Sequence, residues 1–311
     1  MNRNSILLIV FVLLLAIFLG KRFLGGDDSR NFREVLVEVD TAAVTKIVLY
    51  TKANDHEAVE LIKTSATWDV KSGNISDEAD KGSIGGMLSS LVKITPKRLV
   101  AKSGDKWAQY EVNDSLGTQV KVYNGDKLLA DVIIGKFNFQ QATRSMSTFV
   151  RLGDDKDVYS VDGFLSSTFN QPFNGFRDKT FLETNKTDLA SLKFDYPGDS
   201  SFVLSKIGER WQVNETTAAD SASVESFLNG LRSIRQRDFV DGFVSAGKSA
   251  LYQLTIDGNN MSPIVVQGFQ EGEGLVLHSS LNENAFFEEG GLNAFEKLFV
   301  PAGQFFETTG E

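Results

Sequence analysis

The sequence predicts an α+β protein: two tandem repeats of antiparallel sheet, each with one main helix, after a single N-terminal membrane helix. Three observations carry this expectation. One stretch of the chain matches a later stretch at a nearly constant spacing, the matched segments alternate apolar and polar residues, and one unbroken apolar run stands at the N-terminus. Alternation with period two puts one set of side chains on a buried face and the other in water, as in a half-buried antiparallel strand.

The apolar run is Ile6, Leu7, Leu8, Ile9, Val10, Phe11, Val12, Leu13, Leu14, Leu15, Ala16, Ile17, Phe18 and Leu19. As a helix it spans roughly 21 Å, short of a hydrocarbon core of about 30 Å. Continuing to Leu24 brings it to roughly 28 Å, with Lys21 and Arg22 snorkelling toward the interface. A cleaved signal peptide is the alternative, because a run of this length is ordinary for one. Cleavage favours small residues at the first and third positions before the cut. Gly20 has Phe18 at that spacing and Gly26 has Leu24, so an uncleaved anchor over residues 1–24 is the preferred reading. Lys21, Arg22, Arg30 and Arg33 come after the run, and only Arg3 and the α-amine precede it. By charge alone that keeps the large domain in the cytoplasm. A short, signal-like N-terminal segment usually exports the chain behind it, and on that ground the domain is expected outside the cytoplasmic (inner) membrane, as a single-pass protein.

The internal match begins with Val59, Leu61, Lys63, Trp68 and Val70, which stand 143 residues before Phe202, Leu204, Lys206, Trp211 and Val213. Ile47-Val48-Leu49-Tyr50 and Leu192-Lys193-Phe194-Asp195 supply the preceding strand in each copy. Asp80, Ile84, Met87, Leu88, Leu91 and Ile94 then match Asp220, Val224, Phe227, Leu228, Leu231 and Ile234 at a spacing of 140. Val224, Phe227, Leu228 and Leu231 form an apolar helical stripe, and Asp80 and Asp220 stand where a carboxylate meets the free N–H groups of a first turn. Gly82, Gly85 and Gly86 weaken the first helix by up to about 1 kcal/mol each. Tyr159, Gly163 and Phe164 match Phe287, Gly291 and Leu292 at 128, and Pro172 and Phe176 match Pro301 and Phe305 at 129. The second copy is therefore shorter, with much of the difference expected at residues 135–147, a hairpin tip from which Phe137, Phe139, Gln140 and Arg144 protrude. The expected organisation is an anchor at 1–24, a linker and first strand at 25–43, one repeat at 44–183 and a second at 184–311.

Composition narrows the chemistry. With 41 acidic against 32 basic residues the net charge is −9, which argues against nucleic acid as a partner. The absence of cysteine excludes disulfides, thiolate catalysis, thiolate-bound zinc and iron–sulfur clusters. The two histidines, His56 and His278, read as a polar-turn residue and a strand-face residue. Asp154, Asp155 and Asp157 crowd one turn but lack the glycine and distal glutamate of a calcium loop. The stretch Gly82-Ser83-Ile84-Gly85-Gly86 lacks the lysine and spacing of a phosphate loop. No nucleophile elbow, Ser-x-x-Lys or His-Glu-x-x-His pattern is present. No catalytic residue, cofactor or metal is therefore expected.

Several short segments together resemble a known family. They are the N-terminal anchor, Ile47-Val48-Leu49-Tyr50, Trp68-x-Val70, the helix ending at Leu91, Leu99-Val100 and Val132-Ile133-Ile134-Gly135. Phe149-Val150-Arg151, Val158-Tyr159-Ser160-Val161 and Phe176-Arg177-Asp178-Lys179 continue the likeness. With these segments the chain resembles the domain-of-unknown-function 4340 family of bacterial membrane-anchored proteins. The resemblance implies an extracytoplasmic protein of a kind often encoded beside ABC-type transporter or gliding-associated components, and it brings no catalytic residues. It also singles out Arg177-Asp178-Lys179. That run either grips an anionic group or forms a charged connection between repeats, with Arg177 or Lys179 pairing Asp178 or Glu183.

The leading expectation is a non-enzymatic accessory protein whose partners are the membrane and a membrane protein such as transporter subunits. The surfaces expected to meet them are the sheet edges and the 135–147 hairpin, with Phe137, Phe139, Arg144, Arg177 and Lys179 as contact residues. The alternative is a lipid- or glycan-binding module with a groove between the repeats, for which Phe137, Phe139, Phe173 and Phe176 are candidates. An envelope hydrolase built on a pair of carboxylates is the third reading, and the sequence selects no such pair.

Overall fold

The computed structural model describes residues 33–289 and 294–306. The apolar run from Ile6 to Leu19 lies outside the described residues. Among the described residues no helix is long and apolar enough to cross a membrane.

The first half contains β1 (Val37–Glu38), β2 (Lys46–Tyr50), β3 (Ala58–Lys63), β4 (Trp68–Ser72) and β5 (Ile75–Glu78). Helix α1 (Lys81–Leu91) leads to β6 (Lys93–Ile94) and β7 (Pro96–Ala101). Then come β8 (Thr118–Asn124), β9 (Lys127–Gln140), β10 (Ser145–Leu152) and β11 (Val158–Asp162). Nine of these strands form one antiparallel sheet in the order β5-β4-β3-β2-β8-β9-β10-β11-β7, while β1 and β6 pair as a separate ribbon.

The second half is likewise built mostly of antiparallel strands. It contains β12 (Thr180–Glu183), β13 (Leu189–Asp195), β14 (Phe202–Ile207), β15 (Arg210–Val213) and β16 (Thr217–Ala218). Helix α2 (Ser221–Gly230) is followed by β17 (Ser233–Arg235), β18 (Tyr252–Gly258), β19 (Ile264–Glu271), β20 (Gly274–Ser279) and β21 (Phe286–Glu288). Eight strands form the sheet β16-β15-β14-β13-β18-β19-β20-β21, and β12 pairs with β17. The molecule is thus mostly antiparallel sheet with few helices, an α+β fold.

Strand patterning tracks burial. Val59 and Leu61 on β3 are fully buried between half-exposed neighbours, and Phe202 and Leu204 are buried in the same way on β14. Leu61 faces Val70 across the ladder as Leu204 faces Val213. The β8–β9 turn passes through Gly125 at φ +56°, a left-handed conformation that costs glycine nothing. Both helices are capped as expected. Asp80 Oδ1 accepts the Ser83 N–H at 2.8 Å and Asp220 Oδ1 accepts the Ser223 N–H at 2.8 Å. Despite its glycines α1 runs for 11 residues, because Ile84, Met87 and Leu91 are buried against the sheet and packing supplies what propensity lacks.

Each sheet has its own core. Leu36, Val37 and Val39 join Ile47, Leu49, Leu61 and Val120 in the first. Phe181 and Leu182 join Phe194, Phe202, Phe227 and Phe305 in the second, where the Phe194 and Phe202 rings stack at 4.3 Å. The first core runs as far as Phe176 and the second takes up the chain at Phe181, and Leu36, Val37 and Val39 of the expected linker and first strand pack in the first core. Polar groups that follow Glu183 are engaged inside the second half. Thr184 Oγ1 donates to the Leu231 carbonyl at 2.9 Å, and Asn185 caps a short turn.

A smaller third cluster sits on the other face of the first sheet, where Val112, Ile133, Phe149 and Val158 meet Trp107 and Tyr110. Arg151 lies in it, 3.8 Å from the Trp107 ring centroid, with Nε donating to the Val112 carbonyl at 3.0 Å. Residues 135–147 are a continuation of β9 and β10 rather than a loop, closed by a turn at 141–144. The corresponding β19–β20 hairpin closes at residues 272–273, so the extra length of the first half is largely strand.

Leu182 is fully buried in the second core, so Leu182→Ala should destabilise by about 2–5 kcal/mol. Hydrogen exchange should then accelerate in β13 and β18 while β2 and β8 keep their protection. Accelerated exchange confined to β2 and β8 would place this strand with the first half instead.

Candidate functional site

The two sheets meet at the run Phe176-Arg177-Asp178-Lys179. After a one-turn helix, Phe173–Phe176, the backbone becomes extended and bridges antiparallel to the end of β5 at Ala79. The Asp80 N–H donates to the Phe176 carbonyl and the Asp178 N–H to the Glu78 carbonyl, both at 2.8 Å. This places the Arg177 side chain, only 2% exposed, in the seam between the halves.

Both terminal nitrogens of its guanidinium are paired, while Nε is buried without a hydrogen-bond partner. Nη2 pairs with Asp77 of β5, and Nη1 lies 2.9 Å from Asp241 Oδ1, which comes from the second half. Nη1 also donates to Asn174 Oδ1 at 3.0 Å. The planar face rests 3.7 Å from the Phe239 ring centroid, with Phe173 at 5.3 Å. Burial pushes the Asp77 carboxyl above its ordinary value, and the attraction of Arg177 only partly offsets that rise. Desolvation thus outweighs the pairing, so the buried pair fixes how the halves fit rather than adding net stability.

A second bridge crosses the same seam. Arg235 Nη2 of β17 donates to Asp80 Oδ2 at 2.6 Å, and Asn282 Nδ2 donates to the Asp178 carbonyl at 2.9 Å. Lys179 turns its Nζ to the Gly175 and Arg177 carbonyls, at 2.7 and 3.1 Å. Burial holds the Lys179 amine below its usual value, with Asp80 opposing the shift. The Asp178 carboxylate accepts from the Thr180 N–H and hydroxyl. The pairing of Arg177 or Lys179 with Asp178 or Glu183 therefore does not form. Successive residues of an extended segment point to opposite faces, so Arg177 and Asp178 turn away from each other. Asp77, Asp241, Arg235 and Asn282 were not legible as site residues. The one available signal was an aspartate at the buried parity of β5.

Beside the seam lies a cleft of about 470 Å³ lined by Glu78, Asp80, Lys81, Asp178, Glu183 and Arg235. Its cations are already engaged, Arg235 with Asp80 and Lys81 with Glu78 at 3.5 Å. Leu281 is the one large apolar side chain among its lining residues. Of the phenylalanines expected to line an inter-repeat groove, Phe173 and Phe176 are instead buried in the first core, so the four do not form one groove.

Phe137, Phe139 and Arg144 lie on the β9–β10 hairpin. Phe137 packs on Phe164 with ring centroids 4.4 Å apart, and Phe139 faces Met146 across the ladder. Phe139, Met146 and Phe164 are about half exposed, at 50%, 49% and 45%. Arg144 occupies the turn at φ +50° and is exposed. Near this hairpin Asn138, Gln140, Ser145 and Ser147 line a polar groove of about 270 Å³ with Lys97 and Arg98.

The remaining candidates are bound into local structure. His56 Nε2 sits 3.1 Å from the Ser115 carbonyl oxygen, and His278 stacks on Phe286 at 4.8 Å. Asp155 pairs with Arg33 at 3.5 Å. Gly82 to Gly86 lie inside α1. Among the described residues no cluster of three His, Asp or Glu side chains could hold a metal ion.

Two antiparallel sheets fastened by a buried arginine define an α+β protein whose charged seam is a brace. The chain belongs to the family described as a domain of unknown function (DUF4340), whose model matches residues 68–255. That interval runs from β4 into β18 and contains Asp77, Arg177 and Asp241. Neither a curated protein nor a solved structure matches the chain.

Arg177→Ala strands the Asp77 carboxylate in the seam and should cost about 3–5 kcal/mol in chemical denaturation. Asp241→Asn, at a partly exposed group, should cost at most about 1 kcal/mol. Equal losses from the two would refute the assignment of Asp77 as the desolvated partner.

Asp80 gives the seam a pH dependence. Burial works to raise its carboxyl, but the Ser83 N–H and Arg235 outweigh burial and hold it below the ordinary value. A folded-state value below the unfolded one contributes stability at neutral pH. That contribution is lost as pH falls from about 4, the unfolded value, through the folded value. Urea midpoints should fall with acidification across this window less steeply in Asp80→Asn than in the parent chain.

Proposed function

We propose that this chain is a membrane-anchored, extracytoplasmic accessory protein whose two sheets are copies of one unit and form a rigid interaction scaffold. The observation that carries the reading is the use of charge at the seam. Arg177 and Arg235 are engaged in joining the halves and Lys179 is held by local carbonyls, which supports a brace rather than a reaction centre. The surfaces left for partners are the outer strand edges, at β7 of the first sheet and β16 of the second.

The copy relation is supported by equivalent pairings. Leu99 faces Tyr159 as Phe239 bridges Phe287, and Val37 faces Ile94 as Leu182 faces Ile234. The Asp80 and Asp220 N–H groups donate to the Phe176 and Phe305 carbonyls at the same 2.8 Å. Placement in the inner membrane rests on the run from Ile6 to Leu19. An ABC-type transporter or gliding-type envelope machine as partner rests on the family resemblance. No catalytic step, cofactor or metal is assigned.

One observation favours glycan binding as a second reading. The groove lined by Asn138, Gln140, Ser145, Ser147 and Arg98 offers amides and hydroxyls suited to sugar hydroxyl groups.

Protease added to intact spheroplasts, with crosslinking and pull-down from the same cells, tests the leading reading. The expected result is digestion of the large domain from outside and recovery of transporter or motility subunits. Protection from protease would overturn the extracytoplasmic placement. Crosslinking only to itself would overturn the accessory role.

A further inference from the structure

We propose that the distal β9–β10 hairpin is a lipid-contacting element that lays Phe139, Met146 and Phe164 against an anionic bilayer surface. Three features meet there. The first is exposed apolar area where a folded chain usually keeps little. Phe139 and Met146 face each other across the ladder, Phe164 lies beside them on Phe137, and Phe139, Met146 and Phe164 are each about half exposed. They continue the face that, nearer the centre of the sheet, is buried as core through Ile134 and Val150. A β-bulge between Thr148 and Val150 keeps the side chains in phase with that face beyond the end of the core.

The second feature is charge. Between Asp131 and Asp154 the chain has no acidic residue, and between Asp162 and Asp178 it has none, in a protein with 41 acidic residues and a net charge of −9; Asp162 itself, opposite Ser147 on β11, is paired with Lys97 at 2.7 Å. The hairpin carries Lys136 and Arg144, both exposed. A cationic rim around exposed aromatic and Met side chains matches anionic headgroups above acyl chains, and each basic residue near such a surface adds attraction. The rest of this acidic molecule is repelled by the same surface, which orients the hairpin toward it.

The third is reach. Arg33 pairs with Asp155 and lies beside Leu128 and Asp131, at the start of β9. The strand from there to Phe139 covers roughly 33 Å. Residues 25–32 extend at most about 28 Å between the apolar run and Arg33. A domain lying on its side can therefore bring both the start of β9 and its distal end to the bilayer that holds the anchor. The proposal rests on the reading of residues 1–24 as an anchor, and the tether converts a weak surface contact into one at high effective concentration.

The chain has no cysteine, so Phe139→Cys and, separately, Met146→Cys each create one labelling site for the fluorophore NBD. The full-length protein is reconstituted into vesicles of phosphatidylcholine alone or with phosphatidylglycerol, and quenching by doxyl-labelled lipid is measured. Ile207→Cys, at an exposed site in the second half, serves as the control. The expected result is quenching at both hairpin positions that is strong with phosphatidylglycerol, weak with phosphatidylcholine, reduced by salt and absent at the control. Lys136→Glu combined with Arg144→Glu should remove the preference for phosphatidylglycerol. Protein that floats with both kinds of vesicle while its hairpin label stays in water would overturn the proposal and leave the anchor reading intact. Protein that does not float with vesicles would overturn the anchor reading itself and, with it, the proposal. Shielding of the label that requires added membrane proteins would also overturn it, assigning the surface to a protein partner.

Discussion

Arg177 is the constraint on which the joined molecule depends. It stands just after the last helical turn of the first half, and its guanidinium takes one carboxylate from each half, Asp77 and Asp241. Two aromatic rings, Phe173 and Phe239, close over it from the same two halves. A buried charge of this kind contributes little net stability, since desolvation consumes most of the attraction. What it supplies is directionality. Apolar surfaces tolerate sliding, whereas a planar fork held by two carboxylates and two rings tolerates very little. The Asp80–Arg235 and Asn282–Asp178 contacts extend the same seam, so the halves meet through polar groups that accept few alternative arrangements.

That seam also separates two uses of charge. Along it the basic groups are engaged by carboxylates and carbonyls, which makes a brace and leaves the adjoining cleft without a free cation among its described lining residues. On the β9–β10 hairpin the basic groups Lys136 and Arg144 stand exposed around apolar side chains, with no acidic residue in the same stretch. The brace and the hairpin belong to opposite physical regimes, one buried and charge-paired, the other exposed.

The sequence made the strands legible because burial on one face writes period two directly into residue order. Leu61 and Leu204 are buried in equivalent ladder positions, and Asp80 and Asp220 cap equivalent helices with equivalent serines. The boundary was less legible. At the expected division after residue 183, the side chains of Thr184 and Asn185 satisfy backbone groups within the second half. The site was legible only in part. Arg177 and Lys179 stood out, but their partners come from β5, from residue 241 and from local carbonyls, positions that no spacing rule connects.

Taken alone, the sequence determined the antiparallel α+β class, the two helices with their caps and the apolar N-terminal run, because each depends on periodicity or on neighbours within a few residues. Tertiary structure decided which polar residues are buried, where one core ends and the next begins, and that residues 135–147 are ordered strand with an exposed apolar face. Those outcomes depend on contacts between residues far apart in the chain. Asp77, Arg177 and Asp241 become one cluster only when two sheets close on each other, and desolvation, which makes that cluster specific, has no counterpart in residue order.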